Sequence, residues 1–396
     1  MDNRTLFLNN LAQTSDFPLA LELEYAEGSF LFDKKRKPYL DLISGISVSN
    51  VGHRHPKVVA AIREQTDKYL HQMVFGEYIQ SPQVQLAHAL TETLQNLSTK
   101  DGHKIDNVYF TNSGTEAVEG ALKLAKRYTG KPEIISCHNS YHGSTHGALS
   151  IGEEHFKRAF RPLLPGIRKI ERNNLTDIEK INKNSAAVII ELIGAESGIR
   201  ESSKEFIKLL AEKCKSTGTL LIFDEIQTGF GRTGKFWASE HYGIAPDILL
   251  SAKGMGGGMP VGAFMAPNEI MQVLKDNPIL GHITTFGGHP VSCAASLATL
   301  KVIQNEIDYF EMDEKAGKIR EIFQNISGVS EVRGKGMMMA AQMDDFEILK
   351  KNIDRLIDLG VITDWFLYCD NAMRIAPPLN ISWEEIEWLK EKTKML

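Results

Sequence analysis

A chain of 396 residues, 42% hydrophobic and 24% charged, has the makeup of a folded globular protein and is too long for one small core, which points to two domains or one large α/β unit with an appendage. A formal charge of −5 supplies no general basic field for nucleic acid or an anionic membrane surface, so small-molecule chemistry is favoured. Every long apolar segment is broken by charge within about 18 residues, which excludes a membrane-spanning helix.

The chain opens with MDNRTLFLNNLAQTSDFP, which has an early acid and lacks the apolar core of a secretory signal. Within the first fifty residues, GSFLFDKKRKPYLDLISG predicts a hairpin, because apolar strands flank a turn-forming DKKRKP. From Asn107 short apolar runs alternate with helical segments. Strands are expected at 108–110 (VYF), 133–136 (EIIS), 186–192 (AAVIIEL), 219–223 (TLLIF) and 247–252 (DILLSA), with helices at 115–128 and 204–216. Such alternation predicts an α/β fold with a mostly parallel sheet. Past about Pro290 the texture shifts. Helices are expected at 292–307, 314–325 and 346–359, and strands in VSEVRGKGMMMAAQM and around 361–376. The closing SWEEIEWLKEK has Ser382 and Glu385 in capping-box spacing. The expected organisation is an N-terminal segment, 1–50, packing with a small domain; a large domain, 51–290; and a small α+β domain, 291–396. Cys137, Cys214, Cys293 and Cys369 lie far apart, without zinc or redox spacing, and read as reduced packing residues of a cytoplasmic protein.

Three strand ends carry chemistry. In VYFTNSGTEAVEGALKLAKR, Ser113 and Glu116 have capping-box spacing and Ala117, Ala121 and Leu124 form an apolar stripe, so a helix starts at Gly114. Its free N–H groups, with the Ser113 and Thr115 hydroxyls, suit a phosphate, although many ordinary helices begin this way. LLIFDEIQTG reads as a strand buried on both faces with Asp224 and Glu225 at its carboxyl end, the edge where open α/β sheets bind ligands. An acid there stabilises a protonated nitrogen, or is simply a solvated strand end. In DILLSAKGMGGGMPVGAF, Lys253 follows a strand and precedes Gly254, Gly256, Gly257 and Gly258. It is either a snorkelling lysine or an amine delivered to the same edge for Schiff-base chemistry. Together the three fit pyridoxal phosphate: phosphate on the helix start, ring nitrogen on the acid, aldehyde on the lysine. His138, His142 and His146 recur every fourth residue, a metal-ligand face if helical, but CHNSYHGSTHG reads as a loop and no metal centre is expected.

On these motifs the chain resembles the class III (ω-amino acid) pyridoxal phosphate aminotransferases, the acetylornithine and ornithine members above all. The resemblance runs over almost the whole length, through GISVSNVGHRHPKVVAAI, TNSGTEAVEGALKLAKR, YHGSTHGALS, FDEIQTGFGRTGKF, LLSAKGMGGGMPVGAF, TTFGGHP and MRIAPPLN. It implies fold type I, with a seven-stranded, mostly parallel sheet in the cofactor-binding large domain. It also implies a homodimer with shared active sites and ping-pong transfer from an amino donor to a 2-oxo acid such as 2-oxoglutarate. By resemblance Ser113, Gly114 and Thr115 hold the phosphate, with Thr285 reaching the phosphate of the neighbouring subunit. Tyr141 stacks on the ring beside His142, Asp224 binds the ring nitrogen, Gln227 approaches the ring hydroxyl and Lys253 bonds the aldehyde. Arg374 is similar to the arginine that grips a substrate α-carboxylate, and Glu196 to the glutamate that pairs with it when an ω-amine is bound.

The pattern departs at three places. Ser144 stands where acetylornithine and ornithine members carry an arginine that meets a substrate carboxylate, and Ile46 replaces a tyrosine of the ornithine members. ELIGAESG stands for a form like EPIQGEGG, with Glu191 and Glu196 kept. These departures point to an ω-amine donor whose far end is not held as a carboxylate by residue 144. Aminomutase, racemase and decarboxylase reactions share the early carbanion, and a noncatalytic scaffold is the reading from a different class. Glu225 is expected to be structural, bonded to the loop around Arg232.

Overall fold

The computed structural model describes all residues except 1, 96, 98–101 and 103. Strands β1 (Leu23–Glu27), β2 (Phe30–Asp33) and β3 (Pro38–Asp41) pair antiparallel in that order. The expected hairpin is β2–β3, and its turn is closed locally: Asp33 Oδ1 accepts the Lys35 and Lys37 N–H groups at 2.8 and 2.9 Å.

The large sheet gathers β4 (Asn107–Thr111), β5 (Glu133–Cys137), β6 (Ile167–Ile170), β7 (Ser185–Ile190), β10 (Leu220–Asp224), β11 (Ile248–Ser251) and β12 (Gly262–Ala266). A two-strand ladder, β8 (Ile193–Gly194) with β9 (Arg200–Glu201), branches off between β7 and β10. The seven strands lie in the order β4-β12-β11-β10-β7-β5-β6, and β12 is antiparallel to both its neighbours while the other pairs are parallel. Strands β7, β10 and β11 are buried throughout, which is why they read as continuous apolar runs instead of alternating ones. The two-residue period is spent on two different helices. Leu220 and Ile222 pack toward helix Gly114–Thr129, and Leu221 and Phe223 toward helix Lys204–Thr217.

Helix Pro290–Glu306 follows and packs with Val58, Leu86, Leu90 and Met255. Helix Tyr309–Gln324 starts five residues earlier than expected, because Asp308 caps it by accepting the Phe310 and Glu311 N–H groups. Its Met312, Ile319 and Phe323 join a separate core with residues of the last antiparallel sheet. That sheet has the order β13 (Val329–Lys335), β14 (Met338–Met343), β17 (Cys369–Ile375) and β16 (Trp365–Phe366). The remaining strand, β15 (Val361–Ile362), leaves it to pair parallel with β3, Val361 opposite Leu40. The first fifty residues are thereby joined to the end of the chain. At the close, helix Trp383–Thr393 carries the full capping box: Glu385 Oε2 accepts the Ser382 N–H at 2.7 Å and Ser382 Oγ accepts the Glu385 N–H at 3.2 Å.

Two local expectations are corrected. Helix Gly114–Thr129 has half a capping box. Ser113 Oγ accepts the Glu116 N–H at 3.3 Å, but Glu116 Oε2 turns to the Asn112 N–H at 2.7 Å. Glu225 does not bond the loop around Arg232. It accepts the Ala238 and Ser239 N–H groups at 2.6 and 2.8 Å, and burial pushes its carboxyl up to about 7. Arg232 instead donates to the carbonyls of Met337 and Pro377 and to Asn50 Oδ1, tying three distant segments.

Two glycines on helices test this packing. A Cβ on Gly120 would lie 2.3 Å from the Phe264 ring, whereas one on Gly317 meets nothing within 4 Å. Gly120→Ala is expected to destabilise by about 1–3 kcal/mol through overpacking, and Gly317→Ala to stabilise by roughly 0.5–1 kcal/mol through helix propensity. Denaturant unfolding of the two variants checks this, and equal effects would contradict it.

Candidate active site

The carboxyl ends of β10 and β11 and the start of helix Gly114–Thr129 face one cavity of about 530 Å³, within the range of small-molecule sites. Asp224, the last residue of β10, receives His142 Nδ1 on Oδ2 at 2.6 Å and the Ile226 N–H on Oδ1 at 3.1 Å. The His142 ring is fully buried and its Nε2 has no partner. A carboxylate at Nδ1 places the proton of the neutral ring on that nitrogen.

Lys253 comes two residues after β11 on left-handed backbone, φ +43°, a conformation that costs a non-glycine residue about 1–3 kcal/mol and concentrates at functional sites. Its Nζ donates to Gln227 Oε1 at 2.7 Å. The residue keeps some surface open to the cavity. The protein packed round the amine nevertheless pushes the ammonium below the usual lysine range, Arg374 adding to that and Glu196, Asp224 and Glu191 opposing it.

Ser113, Gly114 and Thr115 line the same cavity. Gly114 is closely packed, since a Cβ would lie 2.9 Å from Ile226 Cδ1 and 3.4 Å from Ala252 Cβ. The loop bearing Tyr141 to Thr145 is pressed on this helix start. Thr115 Oγ1 and Thr145 Oγ1 are 2.7 Å apart, and Gly143 has φ +127° with a virtual Cβ 2.2 Å from Thr115 Oγ1. Only glycine fits there, which accounts for the YHG motif. Tyr141 and Ser144 also line the cavity, their hydroxyls 3.2 Å apart. The three histidines of that segment diverge, His138 lying 3.6 and 3.9 Å from Glu153 and Glu171 while His146 begins helix His146–Ser150.

Near Lys253, Arg374 and Glu196 form a buried two-pronged ion pair, Nη1 to Oε1 and Nη2 to Oε2 both at 3.1 Å. Burial works to raise the Glu196 carboxyl, yet the guanidinium holds it below the usual range. Ile46 lies on left-handed backbone, φ +62°, and is 37% exposed, while Val48 lines the cavity. Thr285 is exposed and lies outside this cavity; its neighbours Ile283 and Thr284 line a second one of about 570 Å³.

Two residues of the site escaped the reading of the sequence as site groups. Glu191 lines the cavity and accepts the Tyr141 and Ala195 N–H groups, each at 3.1 Å. Its signal was present, for AAVIIEL ends in an acid as LLIFD does. Burial pushes its carboxyl up. Asp364, which receives Arg374 Nε at 2.7 Å, belongs to no motif and is brought there only by strand pairing. The assembled groups can present an amine to a carbonyl, an acceptor to a protonated nitrogen and a helix start to an anion.

Residues 11–395 match the family model described as aminotransferase class-III. An acetylornithine aminotransferase of Archaeoglobus fulgidus is 36% identical over 373 residues, 92% of each chain. The ornithine aminotransferase of Toxoplasma gondii superposes with a TM-score of 0.88 at 27% identity, over 98% of this chain and 92% of that one. An amine transaminase from an uncultivated Pseudomonas species, solved in its PLP-bound form, gives 0.84 at 26% identity, over 97% and 96%. With a family match spanning nearly every residue and a curated relative alike over nine-tenths of its length, the chain belongs to the class III aminotransferase family.

Proposed function

We propose that the chain moves an amino group from an ω-amine donor to a 2-oxo acid such as 2-oxoglutarate, with pyridoxal phosphate as cofactor and a ping-pong course. The observation that carries this reading is the Lys253 amine, held on strained backbone and with a lowered tendency to hold its proton, at one sheet edge with Asp224 and the Ser113–Thr115 helix start. The cavity fits the cofactor. It has a helix start carrying the Ser113 and Thr115 hydroxyls for the phosphate, a buried His142–Asp224 pair for the ring nitrogen, and the Lys253 amine in the same lining. Ser113, Gly114 and Thr115 would hold the phosphate, Tyr141 cover the ring, Gln227 approach the ring hydroxyl, and Lys253 bond the aldehyde. Bound there, the cofactor supplies the electron sink for the carbanion left when a donor Cα–H breaks. Asp224 keeps the ring nitrogen protonated, through a charge-assisted bond worth about 1.5–3 kcal/mol. Lys253 would also be the base that carries the proton from the donor Cα. Arg374 grips the acid's α-carboxylate when Glu196 releases it.

The donor end is read from Ser144 and Ile46. A serine hydroxyl cannot replace a guanidinium fork as a carboxylate clamp, and Ile46 supplies no hydroxyl where a tyrosine would. We also propose a homodimer. The exposed Ile279, Leu280, Ile283 and Phe286 flank Thr285, which supports burial of this segment against a second copy and delivery of Thr285 to its phosphate site. A cytoplasmic setting is supported by four free thiols; among the described residues no helix is long and apolar enough to cross a membrane. We further divide the chain into a large part and a small part that includes residues 1–50. The core of helix Pro290–Glu306 supports a boundary near residue 307 in place of 290.

Borohydride reduction of the holoenzyme should fix the cofactor to the wild-type chain and not to Lys253→Ala, whose transfer rate is expected to fall by about 10²–10⁴ or more; a labelled Lys253→Ala chain would overturn the assignment. Sedimentation of the holoenzyme is expected at the mass of two chains, and a monomer with full activity would exclude shared sites. In a donor panel, ω-amines lacking a far carboxylate should be preferred, and Ser144→Arg should raise the relative rate with α-carboxylated donors by about tenfold or more. Wild-type activity confined to N-acetylornithine would sink the donor reading.

A further inference from the structure

The Arg374 guanidinium is held by more than Glu196. Asp364 Oδ1 receives Nε at 2.7 Å, the Trp365 carbonyl receives Nη2 at 3.3 Å, and the Phe366 ring centre lies 4.5 Å from Cζ. Three consecutive residues thus hold one edge, one nitrogen and one face of the guanidinium. Their placement is fixed by strand pairing, Trp365 opposite Met373 and the Arg374 N–H bonded to the Asp364 carbonyl at 2.9 Å. The fork itself, Nη1 with Nη2, is wholly taken by Glu196.

An entering α-carboxylate needs that same fork, because the other edge on which two parallel N–H groups could match two oxygens has its Nε held by Asp364. Glu196 therefore has to leave before the acid is seated. Without another anion, its departure would strand a guanidinium that is 3% exposed, and an unpaired charge in such a place is strongly unfavourable. It would also leave the planar group free to turn about its last bonds. Asp364 prevents both. It stays on Nε, so the charge is paired throughout, and it touches neither nitrogen of the fork.

Resting on the reading of Arg374 given above, we propose that Asp364 is a positioning residue for the 2-oxo acid half of the reaction, keeping the Arg374 fork charged, paired and aimed while Glu196 and the acid's carboxylate exchange. The ω-amine half does not require it, because Glu196 then remains on the fork and holds Arg374 itself. Asp364 is thus specific to one of the two substrates that share the cavity.

The test separates the two half-reactions of the holoenzyme by stopped-flow absorbance, first with an ω-amine, then with 2-oxoglutarate on the aminated form. In Asp364→Ala the acid concentration for half-maximal rate should rise about ten- to hundredfold, the loss expected for one bond to a charged group, while the donor half changes less than about threefold. Asp364→Asn, which keeps an acceptor for Nε but not the charge, should fold as wild type and lie between, about three- to tenfold up. An equal loss in both halves, or an unchanged acid requirement in either variant with wild-type cofactor absorbance, overturns the proposal. Arg374→Lys separates the layers. If it leaves the acid requirement unchanged, the reading of Arg374 fails; if it raises that requirement while Asp364→Ala does not, only the role of Asp364 fails.

Discussion

Enclosing the Lys253 amine at the carboxyl edge of a parallel sheet is the constraint around which the rest of this molecule is arranged. An ammonium loses hydration there, and a carboxylate in direct contact would lock the proton on. The contact is instead the neutral amide oxygen of Gln227 at 2.7 Å. The acids Glu196, Asp224 and Glu191 act on it electrostatically. The amine is thereby poised to lose its proton while remaining fixed in direction. The left-handed backbone at Lys253 belongs to the same arrangement, since the chain must turn sharply to bring a residue from the end of β11 into the cavity.

Each neighbouring carboxylate is committed to a different donor. Asp224 has the His142 ring, Glu191 has two backbone N–H groups, and Glu196 has Arg374. Glu225 shows how a strand end separates function from structure. Adjacent residues on extended chain point to opposite sides, so Asp224 enters the cavity and Glu225 goes to the Ala238 and Ser239 N–H groups. One acid serves the site and its neighbour anchors the loop behind it.

The strands of the large sheet legible in the sequence were those with apolar runs: β7, β10 and β11, buried throughout, and β4 and β5, half-buried where they begin. β6, with Arg168 and Lys169 in an edge strand, and β12, built of small residues as GAFMA, lacked that signal. The texture change near Pro290 marked a helix that remains in the core of the preceding elements, because composition registers how apolar a segment is and not what it packs against. The site was legible where chemistry falls at a strand end or a helix start, as at Asp224, Lys253 and Ser113 to Thr115. Asp364 was not, since its link to Arg374 depends on β16–β17 pairing and leaves no trace in spacing.

Likeness to an acetylornithine, an ornithine and an amine transaminase means that this scaffold by itself does not select a donor. On the proposed reading selection resides in the few side chains that differ, Ser144 at the cavity wall, its hydroxyl 3.2 Å from that of Tyr141, and Ile46, two residues before the lining residue Val48. Two hydroxyls can bond a neutral polar group but supply no charge to offset the desolvation of a carboxylate. On that reading the acid acceptor meets the opposite balance, because its carboxylate would be received by a guanidinium already paired on its far edge. On the proposed reading one cavity thus admits two unlike substrates by separating the duties: the 144 side of the wall, where a serine stands for an arginine, is left to the donor, and the Arg374 cluster, whose guanidinium keeps Asp364 as a partner, is left to the acid.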